Sequence, residues 1–243
     1  MVTLYFGDGG VLYPVSRRMP TNDDLPRAAL DALLKGPRPG SPLKSFISSG
    51  VEIRSIRVAD GLAEIDLSST VLSEDARMAI IETMTKLPGV TSVVLTIEGK
   101  AIAGPARRVP LLYYASPTGL VAVPASFTDP RSALDRYLSM SAVPEWTTLP
   151  NDVRLLAYDY EESTGVLSLK FSYTPSLRAL ALDKPEQMRT LLLGLIASLT
   201  EFPQVRAVRL DFGGQTRLGL GGCSDLLGAP QPKPDLLNDE RLL

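Results

Sequence analysis

The chain has 243 residues, 44% of them hydrophobic and 21% charged, with 27 acids against 25 bases for a net charge of -2. That length suits one large domain or two of about 100–130 residues, and the near-balance of charge argues against a nucleic-acid partner, which calls for a basic excess. With no histidine and one cysteine, Ser-His-Asp and Cys-His sites, His/Cys zinc sites and an intramolecular disulfide are excluded, leaving carboxylate, Lys, Tyr or Ser-Lys chemistry.

The chain enters a strand pattern at Val2 with no secretory signal ahead of it. This leaves two readings: a cytosolic protein, or a sequence whose leader or anchor has been removed. "VTLYFGDGGVLYPVSR" alternates apolar residues around a glycine-rich turn and predicts a β-hairpin. "TNDDLPRAALDALLKGPRPG" offers capping residues at Thr21 to Asp24, then Leu30, Leu33 and Leu34 at helical spacing, then a stop at Gly36-Pro37. "VEIRSIRVADGLAEIDLSS" predicts a second hairpin turning at Asp60-Gly61. "SEDARMAIIETMTKLP" predicts a helix with Ser73 as N-cap, acids in its first turn, and Met78, Ile81 and Met84 on one face. "TSVVLTIEG" then enters a strand, so the order to this point is ββ-α-ββ-α-β.

The order then starts again. "VPLLYYASPTGLVAVPASF" is a hairpin whose Leu112-Tyr113-Tyr114 echoes Leu4-Tyr5-Phe6, and "RSALDRYL" from Arg131 echoes "RAALDALL" from Arg27. "GVLSLKFS" from Gly165 repeats the pattern of "GLAEIDLS" from Gly61. The segment from Pro185 to Phe202 is the clearest amphipathic helix, with Met188, Leu191, Leu192, Leu195, Ile196 and Leu199 on one face. Its core "TLLLGLIASL" is half the roughly 20 residues of a membrane span. "FPQVRAVRLDFGG" closes this unit as "LPGVTSVVLTIEG" closes the first. Length differs only in the connections. The second copy is shorter before its first helix and longer before its second, in "SYTPSLRALALDKPEQ", as expected of loops. The pattern predicts an α+β fold of two tandem small sandwich modules, residues 1–104 and 105–220, followed by a proline-rich tail at 221–243. Each module buries both helices on one face of a small sheet.

No segment assembles into a catalytic constellation. "GDGG" at Gly7 to Gly10 is better explained by positive-φ turn positions than by a calcium or phosphate loop, which needs more oxygen ligands. Gly219, Gly221 and Gly222 resemble a dinucleotide loop, but such a loop must open a helix, and here a proline-rich stretch follows. "DYEESTG" from Asp159 to Gly165 gathers three acids at an expected hairpin tip, where solvated carboxylates are ordinary. In the pairs Tyr5-Phe6 and Tyr113-Tyr114, strand alternation sends one residue of each to the core and leaves the other exposed, as an interface anchor in the minority reading. Trp146 reads as a loop residue packed on the core, and Cys223 as a small apolar residue without a partner base.

The ordered set "LYF" at Leu4 to Phe6, "ALDALLKGP" at Ala29 to Pro37, "AEIDLSS" at Ala63 to Ser69 and "TKLPGVTSVVLTIEGK" at Thr85 to Lys100 resembles the GerMN domain. That module is named from a sporulation and germination protein of endospore-forming bacteria. The second copy keeps "LYY", "ALDRYL", "LSLKFS" and "TEFPQVRAVRLDFGGQ", but has "SMSAVP" for the Gly-Pro stop and Lys170 where the first has Asp66. The resemblance spans about residues 1–102 and 109–218. It implies a non-enzymatic extracytoplasmic module, often on a lipoprotein, singly or in tandem, and similar to the ring-building motifs of secretion systems. Tandem copies in the sporulation protein assist the channel complex between mother cell and forespore, and single copies occur beside propeller domains in actinobacterial lipoproteins that work with sensor kinases. A leader or lipid anchor is then expected to have been removed. No catalytic, cofactor or metal residue carries over. The expected partners are proteins of an envelope complex, other copies of the chain included, with no nucleic acid. Three functions compete: an envelope scaffold, a ligand-binding accessory holding a peptide or glycan fragment between its modules and acting on a signalling partner, and, ranked last, a cytosolic carboxylate enzyme.

Overall fold

The computed structural model describes residues 1–8, 11–19, 24–68, 72–102, 104–125, 127–139, 143, 145–214, 220–241 and 243. The chain divides into two compact units, Met1–Val109 with Leu236–Leu243, and Pro110–Asp235.

The first unit opens with the hairpin β1 (Val2–Asp8) and β2 (Val11–Arg17), paired with Tyr5 opposite Pro14. Helix α1 (Leu25–Leu34) starts where the Asp24 carboxylate accepts the Arg27 amide at 3.3 Å, with Pro26 in the first turn where no amide is missed. It stops at Gly36, whose φ of 83° only glycine holds at no cost. Of the expected capping residues, Thr21, Asn22 and Asp23 lie outside the described residues. Strands β3 (Ile53–Ala59) and β4 (Leu62–Leu67) form the second hairpin; Asp60 (φ 50°) and Gly61 (φ 80°) make the two-residue turn. Helix α2 (Glu74–Thr85) leads to β5 (Ser92–Ile97), which runs parallel to β4, and short strands β6 (Lys100–Ala101) and β7 (Ala106–Arg107) both pair with β5.

Ser73 caps α2 by accepting the Ala76 amide at 3.1 Å. The buried face of α2 is nevertheless not the expected one. Ala76, Ala79, Ile80, Thr83 and Met84 are buried, whereas Met78 and Ile81 are only half-buried. The small residues face inward because α2 packs on both β1 and β5. The core is completed by Ala63, Ile65 and Leu67 of β4, and Val93 and Leu95 of β5, all pointing to one side of the sheet.

The second unit repeats this frame. Its hairpin is β8 (Leu111–Ser116) and β9 (Gly119–Pro124), with Tyr113 opposite Ala122, followed by α3 (Pro130–Ser139). Strand β10 (Leu155–Glu161) pairs antiparallel with β11 (Val166–Phe171), and β11 pairs parallel with β12 (Ala207–Phe212). The registers coincide residue for residue. Leu62 opposite Ser92 becomes Val166 opposite Ala207, and the bulge between Ile53 and Ser55 becomes one between Leu155 and Ala157. The flanking hydrogen bonds recur too: Ser68 to Glu52 in the first unit, Ser172 to Arg154 in the second, each both ways.

One difference between the copies is not a loop. "SYTPSLRALALDKPEQ" contains helix α4 (Pro175–Asp183), ahead of α5 (Pro185–Leu199). Thr174 caps it by accepting the Leu177 amide at 3.2 Å, Pro175 starts it, and Leu177 and Ala181 are buried. The amphipathic reading of α5 also needs correction. The six predicted apolar residues are buried, but so are Gly194, Ala197 and Ser198, so residues 194–199 of α5 are enclosed on every side. Helices α3 and α4, strands β8, β9 and β12 and a short 3-10 helix (Gly221–Leu226) all pack on it. Beyond the 3-10 helix, β13 (Gln231–Pro232) pairs with β12, and Leu236–Leu243 belong to the first unit.

Candidate functional site

The aromatic pairs lie inside the protein. Tyr5, Phe6, Tyr113 and Tyr114 are all at most 1% exposed, so neither tyrosine of the second pair is a surface anchor. Alternation still holds, but both faces of β8 are covered. Tyr114 stacks between Tyr137 of α3 (4.7 Å) and Trp146 (5.2 Å), while the Tyr113 hydroxyl donates to Glu201 beyond α5 at 3.0 Å. Burial pushes the Tyr114 phenol well above its ordinary value, to a pKa beyond any physiological range. The Tyr113 amide donates to the Ser198 hydroxyl at 2.8 Å, so α5 satisfies a buried polar group of β8.

The glycine-rich segments also resolve into backbone packing. Gly7 lies in β1 and is bridged to Lys44, where the Phe46 ring sits so close that a Cβ would come within 2.0 Å of it. Close approach, rather than a positive φ, requires glycine there. Gly9, Gly10 and Gly219 lie outside the described residues. Gly221 and Gly222 open the six-residue 3-10 helix, and the Gly222 carbonyl accepts from Arg189, which also grips Asp225 through two bonds of 2.7 Å. Cys223 is buried beside this pair, and burial raises its thiol pKa.

The carboxylates of Asp159, Glu161 and Glu162 are exposed, and Glu161 accepts from Thr164 at 2.7 Å within the turn. Buried carboxylates are engaged in fastening. Glu201, with no exposed side chain, accepts from Tyr113 and from Lys233 at 2.7 Å. Glu240, 2% exposed, takes two bonds from Arg17 (2.9 and 2.7 Å) and the Arg38 amide at 2.6 Å. Among the described residues no three metal-ligating side chains gather. An open groove of about 570 Å³ runs along α4, lined by Tyr173, Pro175, Arg178, Ala179, Leu182 and Asp183.

What remains is the outward face of each sheet. In the first unit it carries Ser55 and Arg57 of β3, Glu64 and Asp66 of β4, and Val94 and Thr96 of β5, aligned by register. Asp66 accepts from the Thr96 hydroxyl at 2.6 Å and the Gly99 amide at 2.9 Å, which hold its pKa below the ordinary aspartate value. The second unit carries Asp159, Ser168, Lys170, Arg209 and Asp211 on the corresponding face. Lys170 stands where Asp66 does, and the carboxylate has moved across to Asp211, in the place of Thr96; it accepts the Gly214 amide at 2.6 Å. The local anchor of the final turn is therefore kept while the charge of the face changes. Among these residues Asp66 and Lys170 stand out in the sequence through the mismatch between the copies, and Asp159 as one of the three acids of "DYEESTG".

The sequence matches the Germane family, described as sporulation and spore germination, over residues 3–103 and 111–218. The chain belongs to the Germane family. No curated protein matches it. Among solved structures, the tandem GerMN domains of the sporulation protein GerM from Bacillus subtilis are similar to this Germane chain with a TM-score of 0.72 at 17% identity, covering 98% of each chain. The first GerMN domain of that protein is 19% identical, covers 42% of this chain and 85% of its own, and gives a TM-score of 0.36. The fold of this Germane chain is therefore that of tandem GerMN modules, α+β as its sequence pattern predicts. Among its described residues no helix is long and apolar enough to cross a membrane.

Proposed function

We propose that this Germane chain is a non-catalytic, extracytoplasmic scaffold of sporulation or germination, one that helps an envelope complex between mother cell and forespore to assemble or hold together. The observation that carries this reading is one frame used twice with two different outward faces. Register, bulge and flanking hydrogen bonds are the same in both sheets, yet Arg57, Asp66 and Thr96 give way to Asp159, Lys170 and Asp211. A core preserved beneath two differently charged faces suits a protein that holds two different neighbours. The family description and the likeness to tandem GerMN domains support the setting.

Fractionation of the native organism with mass-spectrometric identification of the mature N-terminus, combined with crosslinking in sporulating cells, tests this. A signal-cleaved or lipidated species outside the cytoplasmic membrane, crosslinked to envelope proteins, is expected. A cytosolic protein with no envelope crosslinks overturns the proposal.

A further inference from the structure

Of the three sheets, the two built on the parallel pairs β4–β5 and β11–β12 each end in a seven-residue strand that pairs on one side only among the described residues, β3 with β4 and β10 with β11. Such edges are usually blunted by charge or by bulges. Here the bulges fall at the start of each strand and leave five regular residues, Ser55–Ala59 and Ala157–Glu161. The charges differ in sign: β3 carries Arg54 and Arg57 and no acid, and β10 carries Asp159 and Glu161 and no base. Arginines opposite arginines disfavour β3 pairing with β3, and acids opposite acids disfavour β10 with β10. Pairing of β3 with β10 is left open. The same strands hold three exposed large apolar side chains, Val58 (38%), Tyr160 (36%) and Leu156 (58%).

We propose that β3 of one copy pairs edge to edge with β10 of a second copy. Because both modules have one fold, joining these equivalent edges with helices on the same side requires a two-fold relation normal to the sheet, so the strands run antiparallel. The register that puts Arg57 opposite Asp159 puts Ser55 opposite Glu161, Ile56 opposite Tyr160 and Val58 opposite Tyr158. Facing parity is satisfied throughout. Arg57 and Asp159 both lie on the outward face, opposite Glu64 and Ser168 of their own sheets, and Val58 and Tyr158 both lie on the helix side, opposite Ala63 and Leu169. The contact is heterologous, since each copy offers one edge of each kind, and it propagates head to tail into a ring or an open filament. It does not depend on where in the cell the protein works.

Sedimentation velocity of the purified protein across a concentration series, at low and at high salt, is the test. Concentration-dependent association that weakens with salt is expected. Arg57→Glu alone and Asp159→Arg alone should each weaken it about tenfold or more. Mixing the two single variants should restore association, because each then supplies the edge that the other lost. Both positions are exposed, and a circular dichroism melt separates a folding defect from a lost contact. A wild-type monomer at all concentrations, association indifferent to both reversals, or failure of the mixed variants to recover overturns the proposal.

Discussion

Gly194 is set by a contact that helix propensity alone would not choose. Alanine is favoured over glycine by about 1 kcal/mol within a helix, yet a Cβ at Gly194 would stand 2.4 Å from the Tyr113 carbonyl oxygen and 2.9 Å from Leu120. The first obstacle is backbone, which cannot rotate away. Steric repulsion therefore wins, and Gly194→Ala is expected to lower unfolding stability by about 2 kcal/mol, measured by denaturant titration. An unchanged midpoint would mean that α5 and β8 separate easily. Asp66 makes a second test at this scale. Its pKa is depressed by the Thr96 hydroxyl first and the Gly99 amide second. A depressed folded pKa means that its contribution is complete above the unfolded-state value and fades as pH falls through the folded one. Thr96→Val should bring the Asp66 carboxyl titration, followed by NMR, back up toward 3.8.

At the scale of elements, most of the frame was legible from the sequence because hairpins and caps are local. Asp60-Gly61 in the turn, Ser73 at the N-cap of α2 and Gly36 after α1 act where the sequence indicates. The misjudged elements have two causes, the first being an environment that lies elsewhere in the chain. Tyr113 and Tyr114 alternate as they should, but the covering of both faces comes from α3, Trp146 and the end of α5. Helix α4 was obscured by Pro175 and Pro185, which bracket it and resemble loop punctuation, although proline suits the first turn of a helix. Its N-cap makes that helix testable. Thr174→Ala removes the acceptor for the Leu177 amide and should cost about 1 kcal/mol. Faster hydrogen exchange confined to Leu177–Asp183, with α5 protection retained, is the expected signature, because Leu177 and Ala181 are the only fully buried residues of α4. Equal loss in α5 would show that the two helices form one cooperative element.

For the molecule as a whole, the duplication is the property that sequence shows best, and the outward faces are what it shows least. Pairs such as Gly61 and Gly165 mark the frame, but which charges share a face depends on register, and register emerges only from the pairing of strands. The last eight residues were equally unreadable. "LLNDERLL" lies in the stretch that reads as a proline-rich tail, yet Asn238 donates to the Pro14 carbonyl at 2.8 Å and its own carbonyl accepts the Ser16 amide at 3.1 Å. Glu240 then lies against Arg17, whose side chain is 10% exposed and also bonds the Gly36 carbonyl at 3.0 Å. Removing the glutamate strands a nearly buried guanidinium, so Glu240→Ala should destabilise the first unit by about 3 kcal/mol. Replacing both partners with apolar residues, Arg17→Met with Glu240→Leu, should cost much less, because no charge is then left without its partner. A chain ending at Asp235 should show the same defect as Glu240→Ala or a larger one, located by hydrogen exchange in β1 and β2, while β10–β12 keep their protection. If the single, double and shortened forms all melt with the wild type, the Glu240 contact contributes nothing to the first unit, and its burial is incidental.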